Sequence, residues 1–220
     1  LSREADATFY TAAGPEIGVA ATKTFTSQLL AMLLWAGDLA RDRGAISKED
    51  LGALYDQVLR LPHLFQHSLE PQSEFVSQVR AVAQKTYQKK GFFFIGRGYS
   101  FPIALEGALK LKEIAYIHAE GYAGGELKHG PIAMIDEEMV LVALCPRDVW
   151  REKTLSNLQE VKARGAVILA VGHSSDDELK TQSYHWIPIP ILKNHERMLS
   201  PLLMPFYLSV VVQLLSYEIA

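Results

Sequence analysis

Glu106, Lys110 and Glu113 stand at i, i+4 and i+7 in one apolar-rich stretch. On a helix that spacing places all three on one face. Two chemistries fit: a solvated ion-pair support, or a carboxylate base with a cation beside it to tune it. Spacing alone favours the solvated support, because Glu–Lys pairs of this kind are common on helix surfaces. The run Gly121-Tyr122-Ala123-Gly124-Gly125-Glu126-Leu127-Lys128-His129-Gly130-Pro131 is harder to explain as a plain connection. Its glycines let backbone approach a ligand, and His129 can give and take a proton near neutral pH. Gly96-Arg97-Gly98 follows a short apolar run and precedes a helical one. It reads either as an anion-binding turn that offers backbone N–H groups or as a tight strand-to-helix turn. It is not a dinucleotide fingerprint, since Phe101 stands where the third glycine would be. Ala13 to Val19, leading into Thr22-Lys23-Thr24, has the same two readings: a ligand loop or a helix start.

The other candidates carry less. His63 and His67 are four apart on a predicted helix with no evident third metal ligand, so surface positions are expected. His118, His173, His185 and His195 form no ligand pattern. Cys145 ends an apolar run before Pro146 and reads as a small core residue rather than a nucleophile. As the sole cysteine it excludes an internal disulfide framework and a cysteine-based zinc cluster, and it suits a reducing cytoplasm. The chain has 220 residues, 49% apolar and 21% charged, with net charge −3. That is globular composition without the basic footprint of a nucleic-acid binder. Leu199 to Ala220 is apolar but interrupted by Pro201, Pro205, Gln213 and Glu218, so a buried terminal helix is expected rather than a membrane span. Leu1 to Asp6 lacks the pattern of a secretory leader.

The elements that must position these residues emerge from periodicity. Helices are predicted over Ala20–Arg43, from Ser47 to about Leu61 with an interruption at Pro62, and over Glu74–Lys89 with Phe75, Val79, Val82 and Ala83 as its apolar stripe. From Gly91 the rhythm changes. Phe92–Ile95, Met139–Leu144 and Ala166–Val171 read as buried strands, and Trp186–Ile189 as a short edge strand because of Pro188. Between and after them, Pro102–His118, Arg151–Arg164 and Pro201–Ile219 read as helices, and Gly121–Pro131 as a glycine-rich loop. Apolar strands without alternation, separated by helices, indicate an α/β fold: a doubly wound parallel sheet flanked by helices. Its ligand is expected beyond the carboxyl ends of the strands, where Gly96–Gly98 falls.

Three stretches taken together carry a resemblance. They are Ala13-Gly14-Pro15-Glu16-Ile17-Gly18-Val19-Ala20-Ala21-Thr22-Lys23-Thr24-Phe25-Thr26, then Gly96-Arg97-Gly98 with Ala104-Leu105-Glu106-Gly107-Ala108-Leu109-Lys110-Leu111-Lys112-Glu113, then His118-Ala119-Glu120 through Gly130-Pro131. Over essentially its whole length the chain resembles the isomerase part of the glutamine–fructose-6-phosphate aminotransferases, which is built of sugar isomerase (SIS) domains. The resemblance implies a second SIS domain over 75–220, and over 1–74 a mainly helical end of a first one plus a connection. It implies conversion of fructose 6-phosphate and glutamine-derived ammonia to glucosamine 6-phosphate, for UDP-N-acetylglucosamine synthesis, in a cytoplasmic homodimer. The partners implied are a sugar phosphate and a glutaminase domain, with no nucleic acid or membrane, and no metal or organic cofactor. Glu113 matches the base that moves a proton between C1 and C2. His129 matches the ring-opening histidine given across the dimer interface. Lys110 and Glu106 match supporting polar residues, and Val19 a backbone contact to the sugar. Gly96, Arg97 and Gly98 remain the candidate anion turn. The family's phosphate-gripping loop, its Schiff-base lysine and its glutaminase cysteine have no match here, so this chain alone is expected not to complete the reaction. The competing readings are a deaminase-like or deglycase-like SIS enzyme and a non-catalytic sugar-phosphate-binding SIS module. The first is disfavoured by the intact Gly-Glu-Leu-Lys-His-Gly-Pro run, the second by the presence of both Glu113 and His129.

Overall fold

In the first unit a carboxylate and a serine decide where helices begin. Ser47 accepts a hydrogen bond from the Asp50 N–H at 2.9 Å, and its own hydroxyl reaches the Asp50 carboxylate at 2.7 Å. This reciprocal cap starts α2 (Lys48–Ser68) behind α1 (Lys23–Asp42). A computed structural model describes residues 2–191 and 200–220 of the chain; His195 and Leu199 lie outside the described residues. The chain divides into two units, Leu1–Val58 and Leu59–Ala220, with the division inside α2. Within the first unit Gly37 of α1 lies against Leu51 and Tyr55 of α2.

The expected interruption at Pro62 does not occur: α2 runs through it to Ser68. Proline costs a helix one N–H donor, but the turns beyond it are anchored by buried Leu61 and by Phe65, whose ring packs edge-on against Tyr207 at 5.2 Å. Ser73 then caps α3 (Glu74–Thr86) by accepting from the Val76 N–H. This helix ends at Thr86, a turn short of the expected Lys89, and its stripe Phe75, Val79, Val82 and Ala83 is buried as predicted.

The second unit is an all-parallel sheet in the order β2-β1-β3-β4-β5. Its strands are β1 (Gly91–Gly96), β2 (His118–Ala123), β3 (Met139–Leu144), β4 (Val167–Gly172) and β5 (His185–Pro188). The order reverses between β1 and β3, and β5 lies at the edge, where Pro188 is tolerated. The remaining helices are α4 (Ser100–Ala115), α5 (Arg151–Lys162), α6 (Asp177–Thr181) and α7 (Met204–Ile219). Alternation along β1 splits the core. Phe94 meets Gly107 of α4, while Phe93 and Ile95 join Leu127, Leu155 and Leu158 on the opposite face. Among the described residues one helical stretch, Pro201–Ile219, is long and apolar enough to cross a membrane, and 67% of its apolar window is buried inside the protein.

Three local expectations need correction. The helix expected to reach His118 stops at Ala115, because Tyr116 takes a left-handed backbone (φ 56°) that reverses the chain. The glycine-rich stretch is not loop throughout, since His118–Ala123 is a strand paired with β1 along its whole length. Its composition hides it: His, Glu and Gly are not strand formers, and pairing rather than propensity makes the element. Gly121 is needed there, because a Cβ would lie 2.8 Å from the Leu105 Cα of α4. The short α6 has no counterpart among the predicted elements; the Asp176 side chain caps it by accepting from the Leu179 N–H.

Candidate functional site

α4 is the element that organises the chemistry. It leaves the carboxyl end of β1 through a tight turn: a Cβ on Gly96 would meet the Ser100 carbonyl oxygen at 2.3 Å. It then crosses back along the sheet to start β2, whose first residue pairs with the first residue of β1. Glu106 and Lys110 lie on its inward side and are buried, which overturns the solvated ion pair favoured by spacing alone. The reason is the neighbouring residues. Ala104, Gly107, Ala108 and Leu111 let the sheet and α7 come close, and the polar row is enclosed with them.

Lys110 is 2% exposed, and its Nζ donates to Glu113 Oε2 at 2.5 Å. Its distance to Glu106 Oε1 is 3.6 Å, beyond hydrogen-bond reach, and that oxygen has no hydrogen-bond partner. Burial raises the Glu106 carboxyl above the ordinary range; Lys110 opposes this and Glu113 adds to it. Glu113, 26% exposed, is the member of the row that reaches solvent. A buried ammonium hydrogen-bonded to a partly open carboxylate orients that carboxylate, as a positioned base requires.

The other candidates lie elsewhere. Gly96–Gly98 sits at the start of α4, about 20 Å along the helix from Glu113 at a 1.5 Å rise per residue. Arg97 donates to Asn157 Oδ1 at 2.8 Å and lies over Gly124 and Gly125. Asn157, on α5, is a partner that no sequence spacing singles out. His129 is exposed at the end of the short 3-10 turn Leu127–His129. That turn is pinned by buried Leu127 to the sheet face opposite α4, so within one chain His129 and Glu113 flank opposite faces. Val19 belongs to the first unit and is 91% exposed. A groove of about 1570 Å³, lined among others by Tyr99, Arg147, Lys180 and Trp186, opens beyond the carboxyl ends of β3 to β5. None of Glu106, Lys110 and Glu113 lines it.

The row His118, Glu120 and Tyr122 on β2 does not stand out as a set in the sequence. The Tyr122 hydroxyl donates to Glu120, and burial together with that bond pushes the phenol up to about 12. Period-two spacing is its signal, visible only once β2 is known to be a strand. Cys145 is buried, and burial pushes its thiol up to about 12, as suits a core residue. His63 and His67 are exposed as expected. No group of three or more His, Cys, Asp or Glu side chains able to hold a metal ion occurs among the described residues.

Known proteins share both the sequence and the fold. The model of the SIS domain matches residues 85–220. The chain is 46% identical over 220 residues to the glutamine–fructose-6-phosphate aminotransferase (isomerizing) of Thermus thermophilus, covering 100% of this chain and 35% of that protein. It is 44% identical over 220 residues to the enzyme of the same name from Methanosarcina mazei, covering 100% of this chain and 34% of that protein. The chain thus spans about a third of the length of the curated relatives it matches. Among solved structures, the C-terminal domain of glucosamine-fructose-6-phosphate aminotransferase from Francisella tularensis superimposes with TM-score 0.85 at 35% identity, covering 99% of this chain and 59% of that one.

Proposed function

The chain belongs to the SIS-domain family, and from that premise we propose that it supplies the isomerising centre of a glutamine–fructose-6-phosphate aminotransferase. The observation that carries this reading is the enclosed row on α4, in which buried Lys110 is held against Glu113 and only Glu113 opens to solvent. Such a row suits a base that must stay aimed while a neutral sugar carbon gives up a proton.

In the proposed reaction His129 protonates the ring oxygen of fructose 6-phosphate as the anomeric hydroxyl loses its proton, which opens the ring to the C2 ketone. Ammonia, released from glutamine by a glutaminase domain, condenses at C2 and water leaves. Glu113 takes a proton from C1 and returns it to C2 while the C1 hydroxyl proton passes to the imine nitrogen, so the C2 imine becomes an amine and C1 an aldehyde, giving glucosamine 6-phosphate. Lys110 aims Glu113, and Glu106 stands on the other side of Lys110. Val19 contacts the sugar through its backbone. Because His129 and Glu113 flank opposite faces of one sheet, a homodimer in which each copy lends His129 to the other fits the geometry. Gly96, Arg97 and Gly98 are assigned to anion contact, at the far end of α4 from the base. The product class suits cytoplasmic hexosamine supply, toward UDP-N-acetylglucosamine.

The test, made in a full-length protein that contains this chain, is solvent deuterium incorporation into the C1–C2 unit of fructose 6-phosphate. Glu113→Gln removes it if Glu113 is the base; unchanged incorporation overturns the assignment.

A further inference from the structure

The second unit holds a cluster around Asn157 that the proposed reaction does not use. Arg97, in the turn after β1, donates to one atom, Asn157 Oδ1, from Nε at 3.3 Å and from Nη2 at 2.8 Å. Asn157 sits on α5 and is 2% exposed. Two N–H groups of the fork are committed to one buried acceptor, which fixes the plane of the guanidinium.

The guanidinium lies over Gly124 and Gly125, where β2 ends. A Cβ on Gly124 would stand 3.1 Å from Asn157 Oδ1 and 3.2 Å from Arg97 Nε, and a Cβ on Gly125 would stand 3.4 Å from Arg97 Nη1. The missing side chains let the fork close on the backbone, and the Gly124 N–H donates to the Gly96 carbonyl at 2.9 Å. Two adjacent glycines would otherwise be the loosest joint of the segment.

From that joint the chain is tied step by step to His129. The Glu126 N–H donates to the Ala123 carbonyl at 2.8 Å, and the His129 N–H donates to the Glu126 carbonyl at 3.0 Å. Buried Leu127 between them enters the core. Leu127 fixes how deep the turn sits, but apolar burial is non-directional and does not fix its rotation. The glycine joint decides the rotation, and Arg97 holds the joint.

We propose that Arg97 and Asn157 are positioning residues for His129: the fork, held in plane by Asn157, sets the Gly124–Gly125 joint and with it the direction in which the histidine is presented. The inference rests on the reading of His129 as the ring-opening group. It is compatible with the anion contact assigned to Arg97, because Asn157 engages Nε and Nη2 only.

The experiment, in a full-length protein that contains this chain, compares two sugars that carry the same phosphate. Fructose 6-phosphate must be opened; 5-deoxyfructose 6-phosphate lacks the hydroxyl that closes the ring. Solvent deuterium incorporation into each is followed in the unaltered protein, His129→Ala, Asn157→Leu and Asn157→Asp, the last of which keeps an acceptor for Arg97. Asn157→Leu is expected to lose about tenfold on fructose 6-phosphate, a part of the ~10²-fold or more that a positioned general acid contributes, and to stay within about twofold on the open sugar. Asn157→Asp is expected to stay within about threefold on both. A lost anion contact would weaken both sugars alike, so the split reports ring opening and not phosphate binding. If Asn157→Leu does not fold, Gly124→Ala, whose Cβ pushes the fork away, is read in the same way. Equal losses on the two sugars, or none on either, while His129→Ala shows the split, overturn the role of the pair and leave His129 as the ring opener. No split in His129→Ala overturns both, while leaving Glu113 to its own deuterium test.

Discussion

Arg151 and Lys110 are both cations faced by more than one carboxylate, and the second unit uses them in opposite ways. The Arg151 guanidinium donates to both oxygens of Asp176 at 2.7 and 2.6 Å, to Glu178 at 2.8 Å and to Glu152 at 2.6 Å. Asp176 also caps α6, so this cluster ties the start of α5 to the start of α6 with its donors satisfied. Lys110 makes one short bond, to Glu113, and stands 3.6 Å from a Glu106 oxygen that has no hydrogen-bond partner. A planar fork matched to carboxylates suits permanent structure, whereas a point charge shared unevenly between two carboxylates suits a centre whose protonation changes. A satisfied cluster should therefore be measured in stability and an incompletely satisfied one in reactivity.

The largest effect tests the reactive side. Glu113→Gln should slow deuterium incorporation into the sugar by ~10³-fold, the range for removal of a general base. Because the Glu113 side chain is partly open and the amide is isosteric, the melting temperature should move little. A large drop in melting temperature with preserved incorporation would reverse the roles assigned to the two clusters.

Asp176→Asn should do the converse. Breaking a buried, bidentate pair costs about 3 kcal/mol of stability, and incorporation per folded molecule should stay the same. The pH dependence has a definite sign. Burial alone would raise the Asp176 carboxyl, but the Arg151 hydrogen bonds and the Leu179 N–H outweigh it and hold the group below its ordinary value. A depressed carboxyl contributes stability that is present above the ordinary aspartate range and is lost as pH falls through the depressed folded value. Chemical denaturation at neutral and acid pH should therefore show the wild-type advantage over Asp176→Asn shrinking as pH is lowered. A constant gap would show that the pair is not titrating.

How these clusters can be read in the sequence differs in the same way. The row Glu106, Lys110, Glu113 is visible as helical spacing, and the apolar runs of β1, β3 and β4 make the sheet and its α/β class legible. Burial of the row is not legible, because a Glu–Lys spacing looks the same on a solvated face and under α7. The Arg151–Asp176 pair leaves no trace either, since its partners are 25 residues apart in the chain and meet only after β4 is laid beside β3. β2 escapes a sequence reading for a related reason: apart from Tyr122 its residues are poor strand formers, and the parallel partner β1 supplies the structure. Pro62 misleads in the other direction, because tertiary packing of Phe65 carries the helix past a residue that local rules treat as a stop.

Gly121→Ala sharpens the comparison by disturbing the frame of the reactive row without touching its charges. The added Cβ would lie 2.8 Å from the Leu105 Cα and 3.0 Å from its backbone nitrogen, so α4 must shift away from β2. A forced backbone shift of this kind costs about 2 kcal/mol. It should also lower incorporation, because Glu106, Lys110 and Glu113 ride on the helix that moves. Thermal melting and the deuterium assay on one sample check both. Lost stability with full incorporation would mean that the row tolerates displacement and is less finely positioned than proposed.

The smallest effect belongs to a third ion pair, close in sequence to His129. Lys128 Nζ lies 2.8 Å from Glu160 Oε1, with side-chain exposures of 59% and 28%. Its distance equals that of the Arg151–Glu178 contact, so a ranking by geometry alone would give the two equal weight. Solvent decides otherwise. A pair this open is screened by water and salt, and fixing two long side chains offsets most of the attraction, so Lys128→Gln should change stability by less than about 1 kcal/mol. The neighbouring turn is held instead by buried Leu127, so His129 should keep its place and with it the ring-opening role proposed for it. The check is a comparison of fructose 6-phosphate with an already open analogue, at low and high salt. A loss confined to the ring-closed sugar, and largest at high salt in the unaltered protein, would make this surface bridge part of the reactive machinery after all.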